Sequence, residues 1–215
     1  MKSLLIKDKW EVIEPIIKGK SVLDVGCCDE AGTKEDKRGR FLHHRILQEA
    51  GEVVGVDINQ KQIEALRRLG YVDIIPGNVE TINLNRQFEV IFAGELIEHL
   101  SNPGLFLDNM RKHLDSSGLL VITTPNRFHF YQYVKSLITG RLPNYKKDMP
   151  LHVCYYDINC LTALAERHGF KLVSSHYICE KLPTLKAKLF LYLFYKFRPN
   201  FAAYFIAVFK KDARH

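Results

Sequence analysis

The chain of 215 residues has no run of roughly 18 apolar residues, the length a membrane-spanning helix needs, so no transmembrane segment is expected. Its first twenty residues, MKSLLIKDKWEVIEPIIKGK, are broken by charges every few positions. They lack the apolar core of a signal peptide, and the expected location is cytoplasmic. Cysteine is sparse and unpatterned: Cys27, Cys28, Cys154, Cys160 and Cys179 are odd in number and lack the paired spacing of a zinc site. Reduced thiols are the expectation. Internal repeats, low-complexity tracts and linkers are also missing. One domain over 1–215 is therefore expected, with an N-terminal helix at 3–18, a core over 20–178 and a C-terminal helix and strand within 181–211. What is present is an ordinary globular mixture, 47% apolar and 26% charged. Lys and Arg number 31 against 24 Asp and Glu, a formal net charge of +7. That excess favours anionic partners such as nucleic acid, phosphorylated sugars or lipid headgroups without naming one.

Short β-branched runs recur at 21–25, 52–56, 73–75, 88–93 and 118–124, the last stopped by Pro125. Such runs read as buried parallel strands. Helical segments fill the intervals at about 40–50, 60–69, 95–100 and 104–114. Strand–helix alternation of this kind specifies an α/β fold, a parallel sheet with helices on both faces. Beyond Pro150 the pattern gives a helix at about 157–168, closed by Gly169, and a strand at 170–178. A hydrophobic helix at about 184–197 and a last strand, 201–210, follow Pro183 and Pro199.

Ligands of such sheets bind beyond the carboxyl ends of the strands. Asp24-Val-Gly26 ends the first strand there, and Asp57 ends the second, where a carboxylate can accept two ribose hydroxyls. The Gly-x-Gly-x-x-Gly of a pyrophosphate site is absent, since Gly26 is followed by Cys27, Cys28, Asp29 and Glu30. Two acids beside a pyrophosphate are electrostatically unfavourable, so a ligand with a ribose and no phosphates fits better.

The segments VLDVGC (22–27), VVGVDI (53–58), GNVETI (77–82), FEVIFAGELIEHL (88–100) and GLLVITTPN (118–126) resemble the class I S-adenosylmethionine-dependent methyltransferases. The similarity is strongest to the subgroup with Glu-x-x-Glu-His after strand four and Thr-Pro-Asn after strand five. That subgroup includes ubiquinone-biosynthesis O-methyltransferases, small-RNA 2′-O-methyltransferases and enzymes acting on sugars and polysaccharides. The resemblance implies a Rossmann-like, doubly wound, mostly parallel seven-stranded sheet with an antiparallel last strand. It also implies S-adenosylmethionine as cofactor. Asp24, Gly26 and Cys27 would line its methionine moiety and Asp57 would hold the ribose. Ile58 and Val79 would sandwich the adenine, with Asn78 at the amino group, and Ala93, Gly94 and Glu95 would close the site. Three positions depart from the family pattern. Cys28 stands at the usual second glycine, Asn78 replaces an aspartate, and Asp24 and Asp57 are further apart than is common. The excess falls in the charged loop 29–40, read as a solvated loop or a lid.

Glu95, Glu98 and His99 have the i, i+3, i+4 spacing of one helical face, and His152 follows the Thr-Pro-Asn loop, where the resembling RNA enzymes carry a further histidine ligand. Two carboxylates and two imidazoles can hold Mg²⁺, Mn²⁺ or Zn²⁺. Alternatively, His99, His152 or Glu95 acts directly on substrate, or the group is structural. His43 and His44 read as surface or partly buried structural residues. His129 follows Thr-Pro-Asn, where acceptors bind, and reads as a substrate contact or a structural residue, while Arg127, Arg141, Lys146 and Lys147 give 127–147 a basic, aromatic character, suited to a phosphorylated or lipid-linked acceptor or simply solvated. The apolar, basic helix at 184–197 reads as a packed helix, a homodimer contact or a surface for membrane-bound acceptors. The first functional expectation is O-methylation of a sugar or other vicinal diol, a small-molecule or carbohydrate-like acceptor. RNA 2′-O-methylation comes second, and a cofactor-binding module without catalysis third.

Overall fold

The computed structural model describes residues 4–28, 41–140, 152–178 and 193–213. The charged loop 29–40, residues 141–151 with Arg141, Lys146 and Lys147, Cys179, and most of the 184–197 helix lie outside the described residues. In chain order the elements are β1 (Leu4–Ile6), α1 (Trp10–Ile17), β2 (Ser21–Val25), α2 (Leu42–Glu49), β3 (Glu52–Asp57), α3 (Gln60–Arg68) and β4 (Ile74–Pro76). There follow β5 (Phe88–Gly94), a 3-10 turn (Ile97–His99), α4 (Pro103–His113), β6 (Leu114–Pro125) and α5 (Phe130–Thr139). The described chain ends with α6 (Ile158–Arg167), β7 (Phe170–Ile178), a helical turn at 193–197 and β8 (Tyr204–Lys211).

The strands form one sheet of order β1-β7-β8-β6-β5-β2-β3-β4, parallel except where β8 runs antiparallel to β6 and β7. The strand alternation sorts side chains between two faces. Leu23, Val25, Ile91, Ala93, Leu120 and Ile122 pack with Phe106, Leu107, Met110, Leu161 and Ala165 of α4 and α6. On the opposite face, Val22, Val90, Phe92 and Val121 meet Ile13, Ile17 and Ile46 of α1 and α2. Asp24 shares the phase of Val22 and is therefore directed at the α1/α2 side. β2 lies between β3 and β5, so the chain leaves it in one direction and returns on the other. That reversal opens the crevice in which ligands of this sheet class bind.

Three sequence expectations are corrected. The helix expected at 3–18 is a short strand followed by α1, and the sheet has eight strands, one more than expected. Leu4, Leu5 and Ile6 pair in parallel with His176, Tyr177 and Ile178 at the sheet edge. The helix start is then set by side chains: Asp8 Oδ1 accepts the Trp10 N–H, and Glu11 Oε1 accepts the N–H groups of Lys7 and Asp8. These bonds satisfy donors that a helix beginning earlier would use internally. The helix expected at 95–100 is a single 3-10 turn, entered through Glu95 in the left-handed region at φ 52°. The proposed common helical face of Glu95, Glu98 and His99 is therefore absent.

Candidate functional site

The carboxyl ends of β2, β3, β5 and β6 converge at the crevice, and β2 supplies its floor. Gly26 has φ +70°, and a Cβ there would lie 2.8 Å from Leu96 Cδ1. The backbone conformation favours glycine, and a side chain there would also press on the end of Leu96. Its N–H donates to the Val56 carbonyl at 2.8 Å, tying the turn to β3. Asp57, buried at the end of β3, accepts the Cys28 N–H at 2.9 Å on Oδ2 and the Asn59 N–H at 2.8 Å on Oδ1. One bond to each oxygen fixes the carboxylate and leaves further lone pairs for a ligand. The Gly77 N–H donates to the Asp57 carbonyl, bringing the 77–79 turn alongside. Val79 is buried there, whereas Ile58 is 71% exposed at the crevice edge. Asn78 Oδ1 accepts the Glu80 N–H at 2.9 Å.

Asp24 behaves differently from its neighbours. Its Oδ2 lies 2.7 Å from His43 Nδ1, and His43 Nε2 lies 2.6 Å from Asp73 Oδ2. His43 is buried, so a surface position is overturned for it. Burial pushes its imidazole down, but the two carboxylates outweigh burial and carry it up to about 9. Deep burial raises Asp24 despite the histidine. At the half-buried Asp73 burial also pushes upward, yet His43 wins and holds the carboxyl below its usual range. The imidazolium thus links β2, α2 and the residue before β4 beneath the Gly26 turn. The fit is possible because Gly55 has no side chain: a Cβ there would lie 2.9 Å from His43 Cε1 and from Cys27 Sγ.

At the end of β5 the structure brings together Glu98, His99 and His152, with one candidate ligand atom from each within 4.8 Å of the others. The His99 and His152 ring centroids are 4.7 Å apart. His152 is held there by its neighbours, since the Val153 and Cys154 N–H groups donate to the Glu98 carbonyl at 2.7 and 3.1 Å. The Glu98 carboxyl is 1% exposed; Oε2 accepts from Thr124 Oγ1 at 2.9 Å and Oε1 is buried without a partner. Burial pushes Glu98 up to about 7. His152 Nδ1 is likewise buried and unpartnered, and burial followed by His99 lowers its pKa. Glu95 is not part of this cluster: Lys9 Nζ donates to its Oε1 at 2.7 Å. Ala93 is buried and Gly94 partly buried beside the turn. His129 lies beyond β6, its ring centroid 6.1 Å from that of Tyr131.

Sequence reasoning missed the His43 bridge and the Lys9–Glu95 pair. The former had a signal: His43 and Ile46 stand at i and i+3, one buried helical face. The latter had none, because it joins residues 86 positions apart.

Residues 3–175 match the model of a methyltransferase domain family. A ubiquinone biosynthesis O-methyltransferase from Bradyrhizobium diazoefficiens is 31% identical over 114 residues, covering 51% of this chain and 41% of that protein. A tRNA U34 carboxymethyltransferase from Alteromonas mediterranea is 25% identical over 130 residues, covering 54% of this chain and 36% of that protein. The chain thus spans less than half the length of these relatives. Among solved structures, a SAM-dependent methyltransferase from Archaeoglobus fulgidus superposes with a TM-score of 0.65 at 20% identity, covering 94% of this chain and 91% of the other.

Proposed function

From the premise that the chain belongs to the methyltransferase domain family matched over residues 3–175, we propose that it transfers a methyl group from S-adenosylmethionine to a hydroxyl oxygen of a carbohydrate-like or other vicinal-diol acceptor. The observation that carries the cofactor half is Asp57, buried, hydrogen-bonded once on each oxygen, and beside a left-handed glycine. A carboxylate so fixed suits two ribose hydroxyls, while Val79 and Ile58 offer apolar surface to a base. The names of the relatives favour oxygen as the methyl acceptor.

When bound, the cofactor supplies an electrophilic methyl on a sulfonium. The chain's residues do the rest. His152, kept neutral by burial, or His99 beside it takes the hydroxyl proton as the acceptor oxygen bonds to the methyl carbon. The cofactor would supply the methyl carbon, and its sulfur would keep the electron pair of the bond that breaks. The Gly26 turn and Asp57 would hold the donor, and fixing the two reactants relative to each other lowers the barrier by removing translational and rotational freedom beforehand.

The unpartnered Glu98 Oε1 and His152 Nδ1 also fit a divalent ion, held by Glu98, His99 and His152, with Glu95 joining if it leaves Lys9. Such an ion supplies Lewis-acid polarisation of an acceptor oxygen. On that reading chelation abolishes methyl transfer and leaves S-adenosylhomocysteine binding nearly unchanged. Full activity in chelator removes the ion and leaves the histidines as bases.

A second reading, methylation of an RNA ribose, is favoured by the net charge of +7 and by the tRNA-modifying relative. Mass spectrometry of products from a panel of glycosides, nucleotide sugars and RNA oligonucleotides separates the two. Methylated glycosides or nucleotide sugars support the first reading. Methylated RNA ends with no sugar product replace it with the second.

A further inference from the structure

Cys28 is the departure from the family pattern that methyl transfer does not explain. A glycine there would offer no ligand atom, whereas here the sulfurs of Cys27 and Cys28 and an oxygen of Asp57 all lie within 4.8 Å of one another. The register produces this meeting. Val25 pairs with Val56, so the residues following β2 run beside the end of β3. The left-handed turn at Gly26 interrupts the strand alternation that would send neighbouring side chains to opposite faces. Cys27 and Asp57 are buried and Cys28 is half-buried, and the Cys28 and Asn59 N–H groups hold the Asp57 carboxylate as outer-shell donors hold a metal ligand.

We propose that Cys27, Cys28 and Asp57 bind a soft, thiophilic divalent ion of the zinc or cadmium type, and that this ion excludes the cofactor from the ribose end of the crevice. Two sulfurs and one oxygen are a donor set for such ions, with water as a fourth ligand, and not for Mg²⁺. Ligands at roughly 2.3 Å from a tetrahedral ion stand about 3.8 Å apart, which the cluster reaches with little movement. Two metal–sulfur bonds form and two thiol protons leave to solvent. The exclusion rests on Asp57 as the ribose acceptor; the ion site itself does not. The cluster is distinct from Glu98, His99 and His152, whose nitrogen and oxygen donors suit harder ions, so a thiolate signal separates the two.

The test titrates the full chain with Cd²⁺, reading the ultraviolet thiolate-to-cadmium charge-transfer band, with and without S-adenosylhomocysteine. One ion per chain is expected, with the band lost in a Cys27→Ser/Cys28→Ser double variant and affinity reduced at least tenfold by Cys28→Ser alone. Cys28→Ser is the informative variant if Cys27, in the core, proves sensitive to change, and circular dichroism checks its fold. Saturating S-adenosylhomocysteine should suppress the band, and its apparent Kd should rise in proportion to free Cd²⁺. A band unchanged by Cys28→Ser overturns the site and moves the ion to other cysteines. A band present together with undiminished S-adenosylhomocysteine binding overturns the exclusion. If S-adenosylhomocysteine fails to bind metal-free protein, the cofactor reading falls, while the Cys28→Ser comparison still decides the ion site.

Discussion

At His43 one side chain carries a charge that the surrounding core would otherwise reject. The imidazole sits between Asp24 and Asp73 at 2.7 and 2.6 Å, and together they raise its pKa to about 9. A histidine whose folded pKa exceeds its unfolded value adds stability that is complete below about pH 6.5 and is lost as pH rises through about 9. Denaturant unfolding of the wild type should therefore lose about 2–3 kcal/mol between those limits. His43→Gln should be less stable at pH 6.5 and flat across the window; a wild-type curve that is itself flat contradicts the bridge. Asp24, whose pKa burial raises, works in the same direction: its contribution is complete below the ordinary carboxylate range and is lost as pH rises through its raised pKa. The chemical types at this site were legible in the sequence, but their partners were not. Asp24 reads as a cofactor residue from its motif, yet strand phase turns its carboxylate to α2. Only the helical phase of His43 with Ile46 announced the meeting.

Among the elements, the turns at the strand ends do the positioning. Gly26 is left-handed and lies under Leu96, which belongs to the turn after β5. Gly26→Ala should cost about 1–2 kcal/mol for the backbone alone, with a further loss from the contact with Leu96. Adding Leu96→Ala should return the steric part, so in thermal or denaturant unfolding the double variant should lose less than the sum of the two single variants' losses. A double variant less stable than Gly26→Ala by the full cost of the lost Leu96 packing would show that the two residues do not crowd each other. Strands β2, β3, β5 and β7 were legible within a residue or so, because buried parallel strands are continuous apolar runs. The 3-10 turn was not. Glu95-Leu-Ile-Glu-His99 has helical composition, and the left-handed Glu95 and the docking of residues 153–154 on the Glu98 carbonyl come from residues distant in sequence. The expected cluster of four therefore gathers as three, with Glu95 drawn to Lys9.

Over the whole molecule, the order β1-β7-β8-β6-β5-β2-β3-β4 places the reversal of direction at β2, and the residues at the ends of β2 and β3 face those at the ends of β5 and β6 across one crevice. In the function we propose, Gly26, Asp57 and Val79 take the donor side and Glu98, His99 and His152 the acceptor side. Among the described residues, no helix is long and apolar enough to cross a membrane. The central claim is that the β2–β3 end of this crevice holds the adenosine of S-adenosylmethionine through Asp57. Isothermal titration of the metal-free chain with S-adenosylhomocysteine, in wild type and Asp57→Ala, tests it most directly. The account predicts one site per chain and a loss of about 1.5–3 kcal/mol in the variant, the scale of hydrogen bonds to a charged group. No binding by the wild type, or equal affinity in the two proteins, would contradict it.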